Sequence, residues 1–150
     1  MLILEFGSVS ANYRCEENRR LTLFLSVTGS SQGIGRALLD TVLSSGERAV
    51  ATLRNPSQLD ELKTQYSSSQ LLVLRLDVTN GPEIESAFEE TRKTFGRLDV
   101  IVNNAGYALS SEIETTPIEE ARKQLEVLLW GPVQICQHVG VYAMLAVDTN

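Results

Sequence analysis

The sequence predicts an α/β fold, a doubly wound parallel sheet. Three observations predict it. Short apolar runs at 21–27, 48–53, 71–76 and 98–102 have the length of buried strands and are bounded by Gly, Ser and Asn. Between them lie segments whose apolar positions recur at helical spacing. A glycine-rich stretch joins the first strand to the first helix. Strands alternating with helices of ten or more residues form βαβ units and pair in parallel.

The elements follow in order. Residues 1–20 show no clear periodicity, and Cys15-Glu16-Glu17-Asn18-Arg19-Arg20 is charged, so an irregular N-terminal segment is expected. The first strand ends at Thr28-Gly29. From Gly33, the residues Ile34, Ala37, Leu38 and Val42 mark a helix that Ser44-Ser45-Gly46 stops. Beyond the second strand, Asn55-Pro56-Ser57 starts a helix carrying Leu59 and Leu62, with proline suited to a first turn. Ser67-Ser68-Ser69 reads as a loop before the third strand. Gly81-Pro82 opens an amphipathic helix with Ile84, Ala87, Phe88, Thr91 and Phe95 along one face. After the fourth strand, Thr116-Pro117 begins a last long helix, with Glu119 and Glu120 favouring its N-terminus and Trp130 assigned to the core.

Length and composition restrict the function. A chain of 150 residues holds one domain with a real core. The net charge of −6, with no Lys/Arg cluster, argues against nucleic acid, which demands a basic patch. Cys15 and Cys136 are far apart, with no Cys-x-x-Cys pairing and no nearby His cluster. Neither a zinc site nor a disulfide scaffold is expected, and a reducing, cytoplasmic setting fits. Residues 127–147 contain no charged side chain, but Gly131-Pro132, Gln134, Gln137, His138 and Gly140 interrupt them, so a buried helix is expected rather than a membrane span. His138 is the single histidine, expected near a helix end.

The chemical signal lies in Thr28-Gly29-Ser30-Ser31-Gln32-Gly33-Ile34-Gly35. A glycine-rich strand-to-helix turn brings backbone amides close to a pyrophosphate, and the helix N-terminus adds favourable partial charge. A tight turn requiring positive φ has the same composition, so this motif alone is weak. Two more motifs stand at strand ends: Asp77-Val78 after the third and Asn103-Asn104-Ala105-Gly106 after the fourth. Together, T-G-x-x-x-G-x-G, the Asp and N-N-A-G resemble the short-chain dehydrogenase/reductase family, classical type, over residues 21–137; by that resemblance these residues are the N-terminal half of the doubly wound domain, and 138–150 is a divergent tail.

That resemblance implies a Rossmann-like sheet with strand order 3-2-1-4 and a nicotinamide dinucleotide held by Gly29, Ser31, Gly33, Ile34 and Gly35. It implies further that Asp77 accepts a hydrogen bond from the adenine amino group and that the Val78 amide reads the adenine ring. Asn104, Ala105 and Gly106 would lie along the ribose, while Asn103 would brace the sheet through backbone hydrogen bonds. A turn or capping carboxylate is the other reading of Asp77. About 20 residues beyond the glycine turn, NAD sites place a carboxylate on the ribose hydroxyls. Leu53 stands there, followed by Arg54, whose guanidinium can grip a 2′-phosphate, so NADP(H) is expected over NAD(H). An ordinary surface arginine is the alternative.

The same family uses a Tyr with a Lys four residues later, a Ser, and an Asn on the preceding helix. Tyr13, Tyr66, Tyr107 and Tyr142 are followed at that spacing by Glu17, Gln70, Ser111 and Ala146, and Leu128 stands at the Asn position. No catalytic residue and no metal ligand is expected within these residues. The expectation is an alcohol–carbonyl oxidoreductase by family, cut off before its catalytic half and inactive alone on a small-molecule substrate. The alternative is a non-catalytic nucleotide-binding or interaction module. Without a fifth strand, the strand at 98–102 would expose one edge, so either 138–150 folds back as a substitute strand or the chain self-associates. Self-association is favoured.

Overall fold

A computed structural model describes the backbone of residues 2–5 and 23–147 and the side chains of residues 23–139. Its first strand is one the sequence does not announce, β1 (Leu2–Glu5). Then come β2 (Phe24–Thr28), α1 (Gly33–Ser44), β3 (Arg48–Leu53), a 3₁₀ turn at Pro56–Leu59 and α2 (Asp60–Gln65). They are followed by β4 (Leu71–Arg75), α3 (Gly81–Phe95), β5 (Val100–Asn103), α4 (Ile118–Leu125), a π-helical turn at Glu126–Trp130 and α5 (Gly131–Val147).

The sheet order is β1-β5-β2-β3-β4. Strands β4, β3, β2 and β5 pair in parallel, which is the expected 3-2-1-4 arrangement. Val27 lies opposite both Ala51 and Val102, so β2 is the centre of the sheet. Apolar residues pack on both faces, as a sheet sandwiched between helices requires. On one face Leu39, Val42 and Leu43 of α1 and Leu59 and Leu62 meet Ala49, Ala51 and Leu53 of β3. On the other, Ile84 of α3 and Ile135 and Val139 of α5 meet Ile101 of β5, with Leu76, Val78 and Leu98.

Local chemistry sets the boundaries. The Asn55 carboxamide accepts from the Ser57 amide and hydroxyl, so the expected helix at 55 begins as a tight 3₁₀ turn through Pro56. Asn80 and Glu83 form a reciprocal cap on α3: Asn80 Oδ1 accepts from the Glu83 amide, and Asn80 Nδ2 donates to Glu83 Oε1. The Asp99 carboxylate accepts from the Phe24 amide at 3.0 Å while the Asp99 amide donates to the Phe24 carbonyl, tying β2 and β5 where they start.

Several expectations are corrected. Residues 2–5 are not irregular: they pair antiparallel with β5 (Leu2 opposite Asn103, Glu5 opposite Val100) and cover the edge expected to stay open. The tail does not fold back as a strand, because α5 runs on through Gly140 to Val147, anchored by buried Ile135 and Val139. That helix carries His138 in its interior, with Nδ1 at 2.9 Å from the Gln134 carbonyl and its ring stacked on Phe88, while Trp130 is half exposed on the π turn. The charged stretch at 15–20, Cys15 and Tyr13 lie outside the described residues. Among the described residues, no helix is long and apolar enough to cross a membrane, and no group of three His, Cys, Asp or Glu could hold a metal ion.

Candidate dinucleotide site

The site forms where β2, β3, β4 and β5 end, on the side from which the loops leave for the helices. Side by side there lie the glycine turn 29–35, Arg54, Asp77-Val78 and Asn104-Ala105-Gly106. An open α/β sheet binds ligands at that edge, where the connections of neighbouring strands diverge.

Backbone conformation explains the first glycine of the turn. Gly29 has φ +67°, and a Cβ on it would lie 2.9 Å from Ala105 Cα. Gly33 has φ +59°, with nothing within 4 Å of the position a Cβ would take. Both are left-handed conformations that cost other residues energy. Gly35 is needed for a different reason: a Cβ there would collide with the Gly29 carbonyl and the Asn104 carboxamide. Ser30 is fully buried and closes the turn onto β3, its amide donating to the Thr52 carbonyl at 3.2 Å and its hydroxyl to the Val27 carbonyl at 2.6 Å. Ser31 is half-buried, whereas Ile34 stands 70% exposed at the lip of the turn.

Among the described residues, no side chain caps the N-terminal end of α1. Gln32 occupies the capping position without a side-chain hydrogen bond, and the first turn holds no acidic residue. The first amides of a helix are orphan donors carrying positive partial charge, so an anion is the natural complement.

The second wall is held by Thr28 and Asn104. The Thr28 hydroxyl accepts from the amides of Asn104 and Ala105, both at 2.9 Å. In return Asn104 Nδ2 donates to the Thr28 carbonyl at 2.9 Å and the Gly29 carbonyl at 3.3 Å. The side chain that braces the turn is thus Asn104. Asn103, whose expected role is a backbone brace, lies in β5 opposite Leu2; it is 5% exposed, and among the described residues neither polar atom of its side chain has a partner. Gly106 is exposed and packs under Leu128: a Cβ at 106 would lie 2.6 Å from Leu128 Cδ2.

At the far end of the site, Leu53 is buried in the α1-side core, so its position offers no polar group to the site. Arg54 is exposed and, among the described residues, makes no hydrogen bond or ion pair. Asp77 Oδ1 accepts from the Thr79 amide at 3.0 Å and the Thr79 hydroxyl at 2.7 Å, which is the turn role open to it, while Oδ2 carries no hydrogen bond. The Thr79 amide bond, chiefly, holds the Asp77 carboxyl below its usual value of 3.8, with Arg54 and Arg75 adding attraction against some desolvation. The Asp77 amide donates to Glu83 Oε2 at 2.8 Å. Val78 is buried, its carbonyl so close to α5 that a Cβ on Gly131 would sit 2.8 Å from it. Sequence reasoning missed Glu83 and the bracing hydroxyl of Thr28; the Asn-x-x-Glu capping pattern at 80–83 was the available signal for the first.

A glycine turn on an uncapped helix, an adjacent strand-end carboxylate and a braced Asn-Ala-Gly segment mark a candidate nucleotide site on a Rossmann-like α/β domain. The chain belongs to the short-chain dehydrogenase family, whose sequence profile matches residues 24–147. It is 34% identical over 119 residues to oxidoreductase BOA17 of Botryotinia fuckeliana, covering 79% of this chain and 43% of that protein. It is 40% identical over 109 residues to the uncharacterized oxidoreductase C162.03 of Schizosaccharomyces pombe, covering 73% and 36% respectively. Among solved structures, a short-chain dehydrogenase from Streptomyces avermitilis superposes with a TM-score of 0.74 at 31% identity, covering 79% of this chain and 43% of that one. A 3-ketoacyl-(acyl-carrier-protein) reductase from Brucella melitensis, solved with NADH, shares the fold at a TM-score of 0.72 and 20% identity, over 78% of this chain and 48% of that one. The chain thus spans less than half the length of these relatives.

Proposed function

We propose that these residues are the nucleotide-binding half of an NADP(H)-dependent oxidoreductase interconverting alcohol and carbonyl groups, and that alone they bind the dinucleotide without turning over a substrate. The observation that carries this reading is the uncapped N-terminus of α1 behind a turn braced at Gly29, Gly35 and Asn104. Such a turn is pre-organised, so a pyrophosphate would meet amides already in place rather than having to order them. Gly29, Ser31, Gly33, Ile34 and Gly35 hold the pyrophosphate in this reading. Asp77, with its free Oδ2, and Val78 hold the adenine, and Asn104, Ala105 and Gly106 border the ribose.

Selectivity for NADP(H) rests on Arg54. An unpaired guanidinium beside buried Leu53 offers a bidentate cation and no repelling carboxylate. When bound, the dinucleotide supplies or accepts the hydride; what these residues contribute is position. None of them supplies a proton, since no Tyr has a Lys four residues on, and Leu128 presents an apolar side chain beside Gly106. Leu128 also favours a second reading, a nucleotide-binding module without catalysis.

The test is titration of the chain and of Arg54→Ala with 2′,5′-ADP and with 5′-AMP. A charge-assisted contact is worth ~1.5–3 kcal/mol, so the wild type should prefer 2′,5′-ADP by about tenfold or more, and the variant should lose that preference. Equal binding of both ligands by the wild type would overturn the assignment.

A further inference from the structure

Two arginines, not one, stand at the far end of the site. Arg75 ends β4 directly opposite Leu53 of β3, and the Leu76 amide donates to the Leu53 carbonyl at 3.0 Å, which fixes that register. Neighbouring strands lie about 4.7–4.9 Å apart, so Arg75 starts within a side chain's reach of Arg54, the residue after Leu53. Beyond the Thr79 amide bond, which chiefly lowers the Asp77 carboxyl, both guanidiniums attract that carboxyl. Asp77 thus lies within electrostatic range of both cations.

Glu83 decides how Arg75 is presented. Its Oε1 accepts from Arg75 Nε and from Asn80 Nδ2, each at 3.2 Å, while Oε2 accepts from the Asp77 amide at 2.8 Å. Held by these three donors, the Glu83 side chain is 22% exposed, whereas that of Arg75 is 67% exposed. The Nε bond anchors the guanidinium plane, and among the described residues neither Nη donates a hydrogen bond. Those two nitrogens form the fork that a phosphate or carboxylate accepts bidentately. Charge balance asks for such a fork. A phosphate monoester carries about −1.5 to −2 at neutral pH. Arg54 supplies a single positive charge, part of whose field the Asp77 carboxylate already takes. Resting on the NADP(H) reading above, we propose that Arg75, oriented by Glu83, is a second residue that selects the 2′-phosphate, so that two guanidiniums grip it rather than one.

The test titrates the full chain and its variants with 2′,5′-ADP and with 5′-AMP, and reads the ratio of the two affinities. Arg75→Gln should lower the preference for 2′,5′-ADP by about threefold or more, the worth of a solvent-exposed charged contact. Its affinity for 5′-AMP and its melting temperature should stay unchanged, because exposed ion pairs stabilise a fold little. Lys93→Gln is the control for bulk charge. It removes one positive charge, paired with Glu90 at 2.7 Å, near the other end of α3, and should leave the ratio as it is. The proposal is overturned if Arg75→Gln keeps the full preference, or if Lys93→Gln lowers it equally. It is also overturned if Arg75→Gln weakens both ligands alike, since Arg75 would then only shape the adenine segment. Failure of the underlying reading has a different signature: wild type would bind both ligands equally, and both proposals would fall. A preference that Arg54→Ala loses and Arg75→Gln retains would overturn this inference alone.

Discussion

Replacing single glycines by alanine separates conformational from packing demands at the turn. Gly29, Gly33 and Gly46 all have positive φ, at +67°, +59° and +84°. Each should therefore lose roughly 1–2 kcal/mol from forcing alanine into the left-handed region. Only at Gly29 does the new Cβ also meet backbone, at 2.9 Å from Ala105 Cα; at Gly33 and Gly46 nothing lies within 4 Å. Overpacking against a segment held by the Thr28 hydroxyl adds roughly 1–3 kcal/mol. Gly29→Ala should thus cost about 2–5 kcal/mol against about 1–2 for Gly33→Ala and Gly46→Ala, summing the two effects. Urea unfolding with m held constant reads the stability, and 2′,5′-ADP titration reads the site. Gly29→Ala should lose nucleotide affinity with its stability, whereas Gly46→Ala, beyond the far end of α1, should lose stability alone. If Gly29→Ala is no worse than Gly46→Ala, the close packing of the turn on Ala105 is not what requires glycine there.

The remaining expectations concern other links of the chain. Thr28→Val removes the acceptor for two amides and should lower unfolding free energy by about 2–4 kcal/mol, read by urea denaturation. Because the Asp77 carboxyl is held below 3.8 in the folded chain, it contributes stability above that pH and loses it as pH falls through the lowered value. The stability gap between wild type and Asp77→Asn should therefore be constant at neutral pH and close on acidification below about 3.8, measured by urea unfolding across pH. Deleting residues 1–5 uncovers the β-branched edge of β5, so the shortened chain should sediment as larger species than the full one. The purified chain should consume no NADPH with a panel of ketones, since a missing general acid alone removes ~10²–10⁴-fold.

The parallel strands were legible because each is a short apolar run closed by turn residues; β3, at 48–53, has the predicted boundaries. The glycine turn was legible for the same local reason. Strand β1 was not, because four residues carry no periodicity and its pairing with β5 spans almost 100 positions of sequence. Helix α5 outran its prediction because Gly140 weakens a helix without ending it, and burial of Val139 holds the turn before it. Adjacent residues on a strand face opposite ways, so composition alone does not resolve that the Asn104 side chain, rather than that of Asn103, meets the glycine turn. The unpaired state of Arg54 and Asn103 emerges only in three dimensions.

The central claim is that the end of the parallel sheet around the glycine turn holds a phosphorylated dinucleotide. Amide chemical-shift mapping of the ¹⁵N-labelled full chain with NADP⁺ tests it most directly. The account predicts saturable shifts concentrated at Gly29, Ser31, Gly33, Ile34 and Gly35, with Arg54, Asp77, Val78 and residues 104–106 following at the same dissociation constant. Shifts confined to another surface, or none at millimolar NADP⁺, would contradict it.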